Sequence, residues 1–127
     1  MVNLTMKSIN EYMARNEKNP KEIILLSHAV GKPQVAIYHE HFITPLEENI
    51  KKTLQADIKL TVVLVNVKTV TRLFSNNGNR ASNAPIGTLI SKSIVSENYD
   101  FYLLNQTSAN SIAPNHFEVI YTTTKMQ

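Results

Sequence analysis

The chain has no cysteine, so neither a disulfide framework nor thiolate chemistry is open to it. No apolar run approaches the roughly 20 residues that a membrane helix needs. Polar residues interrupt every apolar stretch near the N-terminus, which excludes a signal-peptide pattern. The expectation is an intracellular protein, cytoplasmic or nuclear, with no membrane partner. A third absence is local. Between Asp57 and Glu97 there is no acidic residue, yet Lys59, Lys68, Arg72, Arg80 and Lys92 fall there. The other eight basic residues share the rest of the chain with all ten acidic ones. The formal charge of +3 says little about partners by itself. A one-signed segment is the form taken by a surface that faces phosphates. The alternative reading is a solvated face on which charges happen to cluster.

What is present suffices for one small domain of 127 residues with a packed core, since 43% are hydrophobic and 18% charged. Met6, Ile9, Tyr12 and Met13 follow a helical rhythm and predict a helix from Asn3 to Lys18. Asn3 or Thr5 is the candidate cap, and Asn19-Pro20 the stop. Glu22 to Ser27 reads as a strand buried on both faces, closed by His28 and a turn at Gly31-Lys32-Pro33. Val35 to Ile43 suggests irregular helix. Thr44-Pro45-Leu46-Glu47 has the form of a capping box that opens a helix ending near Ala56. Leu60 to Val67, rich in β-branched residues, is the clearest strand. Ser75 to Pro85 reads as a polar loop, and strands are expected at Thr88–Ile94, Tyr99–Leu104 and Phe117–Thr122. The fold class is therefore mixed α/β in one domain.

Four blocks carry a resemblance. The first is Pro20-Lys21-Glu22-Ile23-Ile24 through Val30-Gly31-Lys32-Pro33-Gln34. The second is Leu60-Thr61-Val62-Val63-Leu64-Val65 through Lys68 and Thr71-Arg72-Leu73-Phe74. The third is Pro85-Ile86-Gly87-Thr88, followed by Asp100-Phe101-Tyr102-Leu103. The fourth is Pro114-Asn115-His116-Phe117-Glu118-Val119. In order and spacing, over nearly the whole chain, they resemble the Piwi domain of Argonaute and Piwi proteins. The corresponding family patterns are a strand ending Tyr-Arg-Asp-Gly-Val-Gly, then Thr-Arg-Phe-Phe, Pro-Pro-Gly-Thr and Pro-Thr-His-Tyr. The resemblance implies residues 1–127 as a partial Piwi-like domain, an RNase H-like mixed sheet flanked by helices that holds a guide strand paired to a target.

Slicing members of that family use acidic residues and a late histidine to position divalent metal ions, and two such ions activate a water and stabilise the leaving oxygen. The match begins after the family's first catalytic strand, so the resemblance gives the first aspartate no counterpart here. The second falls on His28, and the late histidine is implied at His116. Hard cations want carboxylate oxygens, and a neutral imidazole adds no negative charge to hold them. The implication is a chain with no catalytic residue, His28 and His116 marking degenerate positions. No cofactor is expected, Mg²⁺ belonging only to active family members. The resemblance also places Lys68 and Arg72 at a strand end near the nucleic-acid channel. With Arg80 and Lys92 they are the candidate nucleic-acid-binding residues.

Other readings of the same residues stand beside these. His39 and His41, with His28 and His116, have the composition of a zinc set; otherwise they are separate polar histidines. Lys68 and Arg72 contact phosphate or are solvated strand-end charges, with Arg72 pairing with Asp100 as a structural variant. His116 hydrogen-bonds a strand end if it holds no metal, and Asp100 is structural. The leading functional expectation is a Piwi-like module that binds a small RNA or guide–target duplex without cutting it. Its expected partner is a small RNA or RNA duplex, with another Piwi or Argonaute chain or a protein partner as the further candidates. The alternative is a protein–protein interaction module, partner or regulator of a full-length Piwi protein, without direct contact to nucleic acid. A piece of a slicing enzyme is the third, and His28 speaks against it.

Overall fold

The computed structural model describes residues 1–76, 78–92, 94–95, 99–106 and 113–124. In chain order it has α1 (Val2–Asn16), β1 (Glu22–His28), α2 (Lys32–Tyr38), a π-helical turn (His39–Ile43), α3 (Thr44–Leu54), β2 (Lys59–Asn66), β3 (Phe74–Asn76), β4 (Ala81–Asn83), β5 (Leu89–Ile90), β6 (Asp100–Leu103) and β7 (Asn115–Thr122). Five strands form one mixed sheet in the order β1-β2-β7-β6-β5, and β3-β4 form a separate pair. Lys59 donates to the Lys21 carbonyl and Ala29 to the Val65 carbonyl, so β1 and β2 run parallel. The β5-β6 and β6-β7 pairs are antiparallel. The chain divides into two compact units.

The first unit comprises Met1–Leu26, Val30–Val63 and Ile120–Gln127. Its core gathers Ile9 from α1, Phe42 and Ile43 from the π turn, Leu46, Ile50 and Leu54 from α3, and Leu60 and Val62 from β2. The i, i+4 spacing of Leu46, Ile50 and Leu54 puts all three on one face of α3. Both α1 and α3 end on a non-glycine residue in the left-handed region, Glu17 at φ 52° and Gln55 at φ 45°. Such a cap normally favours glycine. Gln55→Gly is therefore expected to raise unfolding stability by about 0.5–1 kcal/mol, read from urea midpoints.

Three sequence expectations change in this unit. No side chain caps α1; Met1 is its N-cap, and Thr5 Oγ1 instead donates back to the Met1 carbonyl at 3.3 Å. The capping box at Thr44 does not form, because Ile43 and Thr44 are already helical. The chain enters α3 straight from the π turn, with Thr44 N–H bonding the His39 carbonyl. Pro45 has no N–H to give, and the wider turn just before it relieves the clash of its ring with the preceding carbonyls. The third change is β1. Its residues alternate exposed and half-buried, so one face meets solvent where burial on both faces was expected. A short apolar run reads the same from either side of the sequence, and only the sheet reveals which side is covered.

A polar anchor joins α3 to β7. Glu47 accepts from Lys51 Nζ at 2.8 Å and from the Tyr121 hydroxyl at 2.7 Å. The lysine bond first, and the tyrosine bond next, hold the Glu47 carboxyl below its ordinary value. Burial, then the Glu47 bond, push the Tyr121 hydroxyl up to about 12. The Glu47 contribution is thus fully present above the unfolded carboxyl's 4.5 and is lost as pH falls through the lower folded value. The Tyr121 contribution is present below 10.0 and is lost as pH rises through about 12. Glu47→Gln is expected to flatten the acid limb of a stability–pH curve measured by urea unfolding, because the group that titrates there is gone.

The second unit comprises Ser27–Ala29 and Leu64–Val119. Leu73, Ala84 and Leu104 form its small core with Ile90 beside them. Within the expected polar loop the chain makes the β3-β4 hairpin, registered Phe74↔Asn83 to Asn76↔Ala81, with Gly78 at φ 84° in its turn. Pro85-Ile86-Gly87-Thr88 is a type II turn: Thr88 N–H reaches the Pro85 carbonyl at 3.1 Å, and Gly87 sits at φ 85°. The strand that follows is only Leu89–Ile90, shorter than expected. Most of the Asn105–Asn115 loop, and Glu97 at the edge of the acid-free stretch, lie outside the described residues.

Candidate nucleic-acid interface

The second unit holds most of the residues singled out from sequence, at the end of the sheet where β1 and β2 finish and β7 begins. Beyond β2, Asn66 Oδ1 accepts from Lys68 N–H at 3.0 Å, which turns the chain out of the strand. Thr69 Oγ1 then donates to the Pro114 carbonyl at 2.7 Å and ties this exit to the start of β7. Arg72 Nη1 donates to the Thr69 and Thr71 carbonyls at 3.1 and 2.9 Å, so its guanidinium braces its own loop. The pairing of Arg72 with Asp100 does not occur. Lys68, Arg72, Arg80 and Lys92 are all exposed. Among the described residues none of the four has an ion-pair partner.

Asp100 is engaged elsewhere. Strands β6 and β7 pair Asp100↔Glu118, Phe101↔Phe117, Tyr102↔His116 and Leu103↔Asn115. Alternation along each strand puts Asp100, Tyr102, His116 and Glu118 on one face and the two phenylalanines on the other. Phe101 and Phe117 stack with centroids 4.9 Å apart. His116 stacks on Tyr102 at 4.5 Å, and its Nε2 meets Asp100 Oδ2 at 2.7 Å. The Asp100 side chain is only 7% exposed, and its Oδ1 is buried without a partner. His116 therefore fastens the β6-β7 hairpin to a buried carboxylate at the strand's head. The sequence separated these two residues by a polar loop; only the antiparallel register brings them together, and the alternating Asp-x-Tyr and His-x-Glu spacings were the signal for it.

The histidines do not assemble. His28 is exposed at the end of β1, and the sheet order sets β2 between it and the strand of His116. His39 packs edge-on against Tyr121 at 5.3 Å, and both His39 and His41 sit on the π turn, where neighbours two apart diverge. Among the described residues no group of three metal-ligating side chains occurs. The zinc set considered from sequence is not formed.

A family model described as the Piwi domain matches residues 1–127. The chain belongs to the Piwi family. Piwi-like protein Siwi of Bombyx mori is 28% identical over 120 residues, covering 92% of this chain and 13% of that protein. Piwi-like protein 1 of Gallus gallus is 30% identical over 124 residues, covering 94% of this chain and 14% of that one. The Piwi-family chain thus spans 13–14% of the length of these curated relatives. In fold it is similar to Kluyveromyces polysporus Argonaute solved with a guide RNA, with a TM-score of 0.78 at 16% identity over 98% of this chain and 17% of that one. The RNase H-like mixed sheet expected from the Piwi resemblance is the fold observed. No helix among the described residues is long and apolar enough to cross a membrane.

Proposed function

We propose that this Piwi-family chain binds a small RNA, or a guide–target duplex, without cutting it, as a module of RNA-guided silencing. The observation that carries the reading is the set of exposed cations Lys68, Arg72, Arg80 and Lys92, free of ion pairs among the described residues, on a stretch that the sequence keeps clear of acid. Cations left unpaired by the protein are available to phosphate oxygens. The Argonaute of similar fold that was solved with a guide RNA supports the same reading.

The inability to cut rests on chemistry at two positions. His28 offers an imidazole where a hard cation wants carboxylate oxygen. His116 spends Nε2 on Asp100 and a ring face on Tyr102. The carboxylate it holds is nearly fully buried. Neither arrangement gives a two-metal site its oxygen ligands.

End-labelled RNA incubated with the chain and Mg²⁺ is expected to keep its full length while being retained on a filter at low salt. Shortening that EDTA abolishes would overturn the non-cutting half of the proposal. Intact RNA with no retention would overturn the binding half and favour an interaction module.

A further inference from the structure

Val67 to Arg72 carry the chain from the end of β2 to the buried Leu73, and both Lys68 and Arg72 stand on them. Packing does not hold the middle of this segment. Val67 is 52% exposed and Val70 95%, and neither joins a hydrophobic cluster. Hydrogen bonds hold it instead. Lys68 N–H bonds Asn66, and the Arg72 guanidinium bonds the Thr69 and Thr71 carbonyls, so these three contacts fix local shape only. Among the described residues, one side-chain bond leaves the segment for a distant part of the chain. It runs from Thr69 Oγ1 to the Pro114 carbonyl, 2.7 Å away and 45 residues on in sequence. Its acceptor is a fixed point: Pro114 is fully buried and leads directly into β7, which lies between β2 and β6 in the sheet. All of these residues belong to the second unit.

We propose that Thr69 is a positioning residue, whose bond to Pro114 holds Lys68 and Arg72 in the arrangement that meets RNA phosphates. The inference rests on the nucleic-acid reading and adds to it a residue that carries no charge. A segment free to move must be ordered when RNA binds, and each residue ordered costs free energy. The Thr69 bond shifts that ordering to folding. Apparent affinity falls in proportion to the fraction of chains in the competent arrangement. Losing the bond lowers that fraction, while the complex, once formed, keeps the same phosphate contacts. The number of phosphates met is what sets the salt slope. Loss of the Thr69 donor therefore lowers affinity by one factor at every salt concentration, whereas loss of a cation also flattens the slope.

The test is filter retention of single-stranded RNA across monovalent salt concentrations, well below the thermal midpoint of each variant. Thr69→Val keeps the β-branched shape and loses the donor. It is expected to bind about three- to tenfold more weakly than the parent, with a parallel salt slope. Thr69→Ala, which loses the donor and adds nothing near Pro114, is expected to match it. Thr69→Ser keeps the hydroxyl and is expected to stay within about twofold of the parent. In the Lys68→Ala/Arg72→Ala background, Thr69→Val is expected to have no further effect, since no cation is left on the segment for it to place. A retained parent with Thr69→Val and Thr69→Ala binding as tightly overturns the inference and leaves the RNA reading standing; a merely structural threonine would lower the thermal midpoint alone. Equal weakening in both backgrounds also overturns it, as does Thr69→Ser binding as weakly as Thr69→Val. A parent not retained at the lowest salt overturns the RNA reading and the inference with it.

Discussion

Lys68→Ala/Arg72→Ala is expected to bind single-stranded RNA about tenfold to a hundredfold more weakly than the parent at low salt, and to do so alike for unrelated sequences. Both side chains are exposed, and neither fills the core. Their removal takes away charge that faces solvent and little that holds the fold. Every phosphate left without its cation should also lower the salt slope by about 0.7 for a single strand, so the double variant's slope should be shallower by about 1.4. Arg72 adds a qualification that its geometry makes testable. Its Nη1 braces the Thr69 and Thr71 carbonyls, so Arg72→Lys keeps a charge but not the brace. If the brace positions the loop, Arg72→Lys falls between parent and alanine in affinity. Gel-shift titration of the parent, the double variant and Arg72→Lys against two unrelated RNA sequences, at several salt concentrations, measures all of this. Equal binding by parent and double variant would remove these residues from the interface.

His116→Ala is expected to cost about 3 kcal/mol of unfolding stability, the largest single effect outside the apolar core. The reason is the partner it abandons. Asp100 is 7% exposed at its side chain, with one oxygen already lacking a partner. Without His116 the other oxygen has none either, and a buried carboxylate is left uncompensated. Replacing both members, as in Asp100→Leu/His116→Leu, removes the charge along with its partner and is expected to cost less than His116→Ala alone. Urea unfolding of the two variants gives the ordering. A histidine kept for metal binding would show the opposite: little change in stability for His116→Ala and a loss of function only when metal is supplied.

Much of the fold was legible because its clearest elements announce themselves locally. The β-branched run of β2 and the helical spacing of Ile9 and Met13 agree with where they pack. The Pro-Ile-Gly-Thr turn needs positive φ at its third residue, and glycine stands there. Elements whose character is set by what lies across from them were not legible. The apolar run of β1 does not say which of its faces is covered. The π turn follows from what Pro45 cannot donate, an effect that looks like a cap in sequence. The β3-β4 hairpin hides in polar residues whose register, not their hydrophobicity, makes them strands. At the candidate site the cations were visible as an absence of acid. The Asp100–His116 bond was not, because a pairing across the β6-β7 register has no local signature beyond alternation. The block resemblance placed His28 at a strand end, and the structure puts it there.

The central claim is that this Piwi-family chain meets nucleic acid through phosphates. The most direct measurement is the dependence of RNA affinity on salt for the unaltered chain, from filter retention across a range of monovalent concentrations. Phosphate binding by Lys68, Arg72, Arg80 and Lys92 along a single strand predicts a straight line of log affinity against log salt with a slope of about −3. A flat line, or no retention at the lowest salt, would contradict the account.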